Sequence, residues 1–359
     1  MKPESEADLA EIVRGANGPL AVRGGATRHV PALGEALTTT GLSGITLYEP
    51  GALTLVARAG TPVAEVEAAL EAEGQRLPFE PMDHRGLLGT GGTPTVGGAV
   101  ALNVSGPRRV TVGACRDSLI GVRFVDGEGR VVKNGGRVMK NVTGYDLVKL
   151  LAGSRGRLGI LSEVSFKVLP AAATQATLRL DGLSVVEAVR AMAAGLTSPF
   201  EVNGAAHDPA GGATWLRIEG LEGSVDYRAG ELARVLAAFG TATRLDPEAS
   251  ARVWRAVRDA TAMAGPGDVW RIHARPSAGP GLVARAGAEA VLIDWGGGLI
   301  WVRLPEGTDL RARLGSFDGH ATRVRGGLDL PPETPPVAVL TAGLRAKFDP
   351  RGVFAGAGG

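Results

Sequence analysis

Residues 19–28 read Pro19-Leu20-Ala21-Val22-Arg23-Gly24-Gly25-Ala26-Thr27-Arg28, a short apolar run that empties into consecutive small residues. The pattern predicts a strand at Leu20 to Arg23 and then a loop whose backbone N–H groups lie bare to one anion, because no Cβ at Gly24 or Gly25 blocks its approach. A tight strand-to-loop turn is the competing reading, and this stretch alone does not choose between them. Glycine elsewhere bears on the choice. It accounts for 54 of 359 residues, about twice an ordinary share near 7%. Compositional drift of a GC-rich genome, which the 33 Arg against 6 Lys also suggest, would scatter glycines; a ligand site would concentrate them.

They are concentrated. Gly89-Thr90-Gly91-Gly92-Thr93-Pro94-Thr95-Val96-Gly97-Gly98-Ala99 continues through Asn103 and Ser105-Gly106-Pro107-Arg108-Arg109 to Gly113, and no residue from Gly86 to Pro107 is charged. Such a run makes a poor helix and little side-chain core, yet its backbone must be paired or covered. A large bound cofactor would cover it, whereas a mobile surface loop usually carries more charge. A third cluster is Lys140-Asn141-Val142-Thr143-Gly144-Tyr145-Asp146, then Gly153-Ser154-Arg155-Gly156-Arg157-Leu158-Gly159-Ile160. Its spacing is not a Rossmann turn. The one G-x-G-x-x-A match, Gly279 to Ala284, has Pro280 where a loop N–H is needed, and no Lys follows a Gly, so a P-loop is absent.

Working outward, Ser5 is placed to cap a helix with Leu9, Ile12 and Val13 on its apolar face. Strands are expected at Ile45 to Tyr48 and Leu53 to Ala59, and Thr61-Pro62 is expected to open a helix as cap and first position, burying Val63, Val66 and Leu70. A hairpin at Leu119 to Lys133 turns at Asp126-Gly127-Glu128-Gly129, Tyr145 to Leu151 reads as a helix, and Ile160 to Leu169 as a strand stopped by Pro170. Beyond Ala171 the pattern is βαββαβ, with strands at 176–180, 200–206, 214–219 and 241–245. After a helix at Pro247 to Met263 it is βαββαβ again, with strands at 269–274, 290–294, 299–304 and 321–325. The expected class is α+β: residues 1–170 as one domain, 171–330 as two ferredoxin-like units sharing a mixed sheet, and 331–359 as a Pro-rich linker (Pro331, Pro332, Pro335, Pro336) with a helix at Val337 to Lys347.

Other chemistries find little support. The formal charge is +2 without like-charge blocks, which argues against a nucleic-acid partner or a polybasic membrane anchor. The lone Cys115 and the absence of a signal-like start favour a reducing, cytoplasmic compartment. The five histidines, His29, His84, His207, His273 and His320, are too widely spaced for a local metal pair, and no metal is expected. Trp270-Arg271-Ile272-His273 and Trp295-Gly296-Gly297-Gly298 lie on expected strands, where a core or hairpin role is the default.

The three glycine clusters, in this order, resemble the FAD-binding domain of the vanillyl-alcohol-oxidase and p-cresol-methylhydroxylase (PCMH-type) superfamily. Ser105 to Arg109, Val138 to Asp146, Trp270-Arg271, Asp294 to Gly297 and Phe348-Asp349-Pro350 narrow the resemblance to the E-subunit family of bacterial glycolate oxidase (glycolate dehydrogenase). It implies a two-part PCMH-type FAD domain with a cap. Arg23, Gly24, Gly25, Ala26 and Thr27 would hold the diphosphate; Thr93, Thr95, Val96, Gly97, Gly98, Asn103, Ser105 and Gly106 would line the ribityl and diphosphate region, with Gly113 and Asp117 beyond; Gly156, Gly159 and Ile160 would pass the adenine. A Val at Gly25 would then obstruct the diphosphate. Covalent members carry His where this chain has Thr27, with His29 displaced by two, so non-covalent FAD is expected.

The family's chemistry is hydride transfer from a small 2-hydroxy acid to flavin N5 while a base takes the hydroxyl proton. Its partners would be a sister FAD-linked catalytic subunit and an iron–sulfur subunit, with attachment through them at the inner face of the membrane. A carboxylate needs a cation and the hydroxyl a base; Arg271 and His273 are the sequence candidates, on one face of a strand. Arg157 stands where the family usually has Thr, and Ala355-Gly356-Ala357 where it usually has Asn-Pro-Gly. The sister subunit's histidine metal and substrate motif is missing. This leaves two alternatives open: a non-catalytic FAD-binding or electron-relay partner, and a standalone FAD-linked alcohol oxidase.

Overall fold

The structure, a computed structural model, describes residues 1–28, 33–136 and 144–354. His29 and the run from Val138 to Thr143 lie outside the described residues, as does the Ala355-Gly356-Ala357 departure. Helix α1 (Glu6–Gly15) starts on a capping box, in which Ser5 Oγ accepts from the Asp8 N–H and the Asp8 carboxylate accepts from the Ser5 N–H. Its apolar face, Leu9, Ala10 and Val13, is buried with Leu20, Leu37, Val125, Ile160, Val353 and Phe354. Strand β1 (Leu20–Arg23) pairs in parallel with β2 (Glu35–Thr38), and on its other side the Leu20 N–H donates to Val353 O at 2.8 Å.

A five-stranded antiparallel sheet follows, in the order β3-β4-β8-β6-β7, from β3 (Ile45–Glu49), β4 (Thr54–Arg58), β6 (Leu119–Val125), β7 (Val131–Gly135) and β8 (Ile160–Lys167). Helix α2 (Val63–Ala72) packs Val66 and Leu70 on it with Phe124 and Phe166. Thr61 is not the cap of α2. Pro62 holds that position, and Thr61 Oγ1 instead donates to Arg58 O at 2.7 Å, closing the turn out of β4. Pro170 does not end the strand region either: β9 (Leu169–Pro170) pairs with β5 (Gln75–Arg76), an edge pairing that asks nothing of the missing proline N–H.

The glycine-rich run does contain helix. After α3 (Arg85–Leu88) comes α4 (Val96–Ala101), capped by Thr95, whose hydroxyl accepts from the Gly98 N–H. Gly97 lets this helix touch the end of β4, since a Cβ there would stand 2.6 Å from Ala59 O. Close backbone contact is bought with the glycine that lowers helix propensity. Short helices α5 (Arg109–Val112), α6 (Cys115–Ser118) and α7 (Leu147–Leu151) complete this half.

The remainder builds one eight-stranded sheet from β10 (Thr174–Asp181), β11 (Gly204–Asp208), β12 (Ala213–Gly220), β13 (Thr243–Leu245), β14 (Asp268–Ala274), β15 (Ala290–Asp294), β16 (Leu299–Leu304) and β17 (Gly319–Arg325). Its order, β13-β10-β12-β11-β15-β16-β14-β17, is two βαββαβ units joined at His207 of β11 and Ile293 of β15. The sheet expected to be mixed is antiparallel at every pairing. Each helical crossover does return a parallel strand, but another strand is inserted between the two. Helices α8 (Val185–Leu196), α9 (Glu222–Leu236), α10 (Pro247–Arg258), α11 (Gly279–Ala286) and α12 (Leu310–Leu314) pack with it. Pro335 and Pro336 begin α13 (Pro335–Phe348) rather than a linker, as fits prolines in a first helical turn. Leu344 and Phe348 of α13 pack back on the five-stranded sheet's core.

Two joints hold the sheets together. Met82, Leu87 and Val104 pack with Trp254, Met263, Leu299 and Trp301 of the second half. Beside them lies a buried ionic cluster: Arg108 pairs with Glu80 at 2.9 Å and Glu219 at 2.6 Å, Arg217 with Glu80 at 3.0 Å, and Arg76 with Glu219 at 3.0 Å.

Candidate active site

The loop after β1 turns its carbonyls inward. Gly24 O accepts from Thr38 Oγ1, Gly25 O from the Thr93 N–H at 3.1 Å, and Thr27 O from Thr90 Oγ1 at 2.9 Å. Among the described residues the N–H groups of Gly25, Ala26 and Thr27 donate to nothing. Ala26 holds a left-handed φ of 55°, an unusual state for a residue with a Cβ. Successive free N–H groups on one side of such a turn form a cradle for an anion. These residues line a cavity of about 870 Å³, partly open to solvent, whose wall includes Arg23 to Arg28, Thr95, Gly97, Gly98 and Ser154 to Gly156.

A second chamber of about 1150 Å³, likewise partly open to solvent, adjoins the first, and Arg28, Leu102 and Arg155 stand on the wall of both. Its far end is formed by β14 and β17. Arg271 and His273, on the same face of β14, both line it, with Arg271 Nη2 3.4 Å from His273 Nε2. His320 is the direct partner of His273 across the β14/β17 register, and the two imidazoles lie 4.7 Å apart. Trp295 sits 5.5 Å from the His273 ring, and the Arg109 guanidinium stacks over its indole 4.6 Å from the centroid. Arg271 in turn lies 4.9 Å over Trp301.

Burial and clustering of like charge shape the protonation here. Burial, and then the nearby Arg109, Arg155 and Arg28, bring Arg271 down to about 10. Burial and the Arg271 charge bring His273 down to about 2, and the same two causes lower His320. His84 is pushed well below its usual value by burial and by Arg28, whose Nε donates to its Nδ1 at 3.2 Å. All three imidazoles are therefore neutral near pH 7. Behind Arg271, in a small polar cavity, burial raises Asp294 to about 7 against the N–H that Trp295 donates to it.

The three clusters meet, and the wall of the first cavity carries Arg23, Gly24, Gly25, Ala26, Thr27, Thr95, Gly97, Gly98, Gly156, Gly159 and Ile160. Others stand apart. The side chain of Val96 is core, and the Val96, Gly97 and Gly98 N–H groups are already bound by Thr61 O, Ala59 O and Thr95 Oγ1, so they are not free for phosphate. Thr93 meets Gly25 through backbone; Asn103 lines the chamber; Ser105 and Gly106 border the small cavity beside Asp294. Gly113 and Asp117 lie off these walls and shape a turn, where Asp117 accepts from the Ala114 N–H at 2.8 Å. The obstruction expected at Gly25 is corrected as well. A Cβ there would first meet Thr93 O, at 1.5 Å, so this glycine serves contact between loops. Sequence reasoning missed Arg28, His84, Arg109, Arg155 and His320, which only the tertiary contacts bring to one chamber.

Residues 1–135 match the FAD binding domain family. Over 343 residues the chain is 36% identical to glycolate oxidase subunit GlcE of Escherichia coli, covering 94% of this chain and 91% of that protein. The chain belongs to the GlcE family. It is also 33% identical over 126 residues to glycolate oxidase subunit GlcD of Bacillus subtilis, covering 35% of this chain and 25% of that one. Among solved structures, alkyldihydroxyacetonephosphate synthase aligns over all of this GlcE-family chain and 76% of its own, with a TM-score of 0.70 and 15% identity, which shows a shared PCMH-type fold. The cradle fits the cofactor that the matching domain is named for. Three N–H groups without a partner among the described residues and the adjoining Arg28 are suited to a diphosphate, and Val22, Ala59, Ala101, Leu102 and Leu161 give the same cavity an apolar wall.

Proposed function

We propose that this chain is the FAD-binding subunit of a glycolate-oxidase-type complex and takes part in the oxidation of a small 2-hydroxy acid. The observation that carries the reading is the junction of the two cavities: a diphosphate cradle opens, past Arg28 and Arg155, into a chamber lined by arginines and neutral imidazoles. Bound FAD supplies the hydride acceptor. Arg271 holds the substrate carboxylate, and turning toward it gives up the long contact with His273 Nε2, whose lone pair then takes the hydroxyl proton. The neighbouring Arg271 makes that imidazole a weak proton holder, ready to pass the proton on to solvent or to His320.

We assign residues 1–170 to the FAD domain, 171–330 to the cap and 331–359 to a returning segment; α13, packed on the first core, supports the last assignment. The flavin is held without a covalent bond in this reading, because Thr27 stands where covalent members of the superfamily carry His. The likeness to GlcE and GlcD supports a sister flavosubunit as partner, and we add an iron–sulfur subunit as electron outlet. Among the described residues no helix is long and apolar enough to cross a membrane. We place the complex in the cytoplasm, reaching the inner face of the membrane through its partners.

An absorbance spectrum of the purified chain, before and after acid precipitation, tests the reading. A flavin spectrum that moves to the supernatant is expected, and anaerobic glycolate or D-lactate should bleach it in the assembled complex. A chain that takes up no FAD when the cofactor is supplied overturns the proposal.

A further inference from the structure

Asp294 ends β15 with its side chain buried, 2% exposed. Among the described residues it enters no ion pair, and its hydrogen-bond partner is the Trp295 N–H, which donates to Oδ1 at 2.7 Å. Asp294 lines the small polar cavity together with His84, Arg258 and Arg271. Arg271 and His84 also line the chamber, so both stand between the two spaces. Arg271 has no carboxylate partner either, and its Nε is buried and bonded to nothing among the described residues. A buried acid and a guanidinium thus border one cavity without forming an ion pair.

Charge reaches Asp294 from several elements. Arg217 of β12 and Arg271 of β14 favour its ionised form, Glu80 opposes it, and Arg258 of α10 stands with His84 on the cavity wall. His207 of β11 is in register with the neighbouring Ile293. Burial lowers both imidazoles and raises Asp294 to about 7, so Asp294 is the member of this set that changes charge near neutral pH. On the reading above, a substrate carboxylate meets Arg271 from the chamber. Two anions would then share one cation, and their repulsion favours the neutral form of whichever holds a proton more readily. That group is Asp294, because an ordinary carboxylate is fully ionised at this pH.

We propose that a carboxylate settling on Arg271 draws a proton from solvent onto Asp294, so that anion and proton enter the molecule together. The inference rests on the 2-hydroxy-acid reading and adds Asp294 to it as a positioning residue. Neutral Asp294 leaves the guanidinium to the substrate; ionised Asp294 competes for it.

The test is calorimetric titration of the FAD-loaded full chain with acetate and propionate, which are glycolate and lactate without the hydroxyl. Ionic strength is held constant and the buffers differ in ionisation enthalpy, which reports proton uptake. For a coupling of about tenfold between the two anions, about half a proton is taken up per carboxylate near pH 7.5, and affinity weakens about fivefold from pH 6 to 8. Asp294→Asn should keep binding and lose both effects. Infrared difference spectra give a readout that needs no variant: a protonated carboxylic acid band should grow as the carboxylate is added. Binding without proton uptake overturns the proposal, as does uptake that persists in Asp294→Asn, or a missing band. A chain that binds neither acid overturns the 2-hydroxy-acid reading and this inference together, which tells the two failures apart.

Discussion

At the scale of single residues, glycines that look alike in the sequence do different work. Gly25 and Gly98 both border the cradle, but a Cβ at Gly25 would collide with Thr93 backbone, whereas one at Gly98 would meet only Thr95 Oγ1 at 3.2 Å and Arg28 Nη1 at 3.7 Å. Gly98→Val is therefore expected to fold and to lose at least tenfold in FAD affinity, because its methyls occupy the cavity. Gly25→Val is expected to lower stability by about 1–3 kcal/mol through overpacking. Thermal melts of the apoproteins, set beside flavin titrations, separate the two. A Gly98→Val protein that binds FAD normally would remove that glycine from the site. Strand-to-glycine junctions were legible in residues 19–28 because they are a local backbone matter. The direction in which each Cα faces was not, since it depends on which loop lies opposite.

At the scale of elements, β14 and the Asp294-Trp295 turn carry the chamber's end wall. Asp294 is raised to about 7 from 3.8, so between these values the folded protein keeps a proton that the unfolded chain has released. Stability should fall as pH rises from about 4 to 7, at roughly 1.4 kcal/mol per unit at most, and Asp294→Asn should flatten that decline in urea titrations. Glu219 acts in the opposite sense. Its neighbouring arginines bring it down to about 2 against burial, so its contribution is complete above pH 4.5 and is lost as pH drops toward 2. An unchanged slope in Asp294→Asn between pH 4 and 7 would refute the assignment. Elements of this half were readable, Trp270 to His273 included, because alternation and helical period persist for 160 residues. The β14/β17 register that sets His320 opposite His273 was not readable, because strand pairing over 47 positions leaves no local mark. Helix α4 was hidden for another reason: its glycines signal loop, while Thr95 and the carbonyls of Ala59 and Thr61, which lie elsewhere in the chain, make the helix.

At the scale of the whole molecule, the ionic cluster of Arg76, Glu80, Arg108, Arg217 and Glu219 clamps the two sheets beside the chamber. Arg108→Met leaves Glu80 with Arg217 and Glu219 with Arg76, each short of one cation in a buried place. A loss of about 3 kcal/mol is expected, seen as a lower urea midpoint, together with weaker carboxylate binding as the end wall shifts against the cradle. A midpoint within error of the unmodified chain would show that the apolar joint at Met82 and Trp301 suffices.

Strand β1, which feeds the cradle, is bound on one side by Val353, more than three hundred positions later. A segment translated more than three hundred residues after this loop thus supplies one of the two edges that hold its strand, and the proposed cofactor would be gripped fully only once both segments have been made.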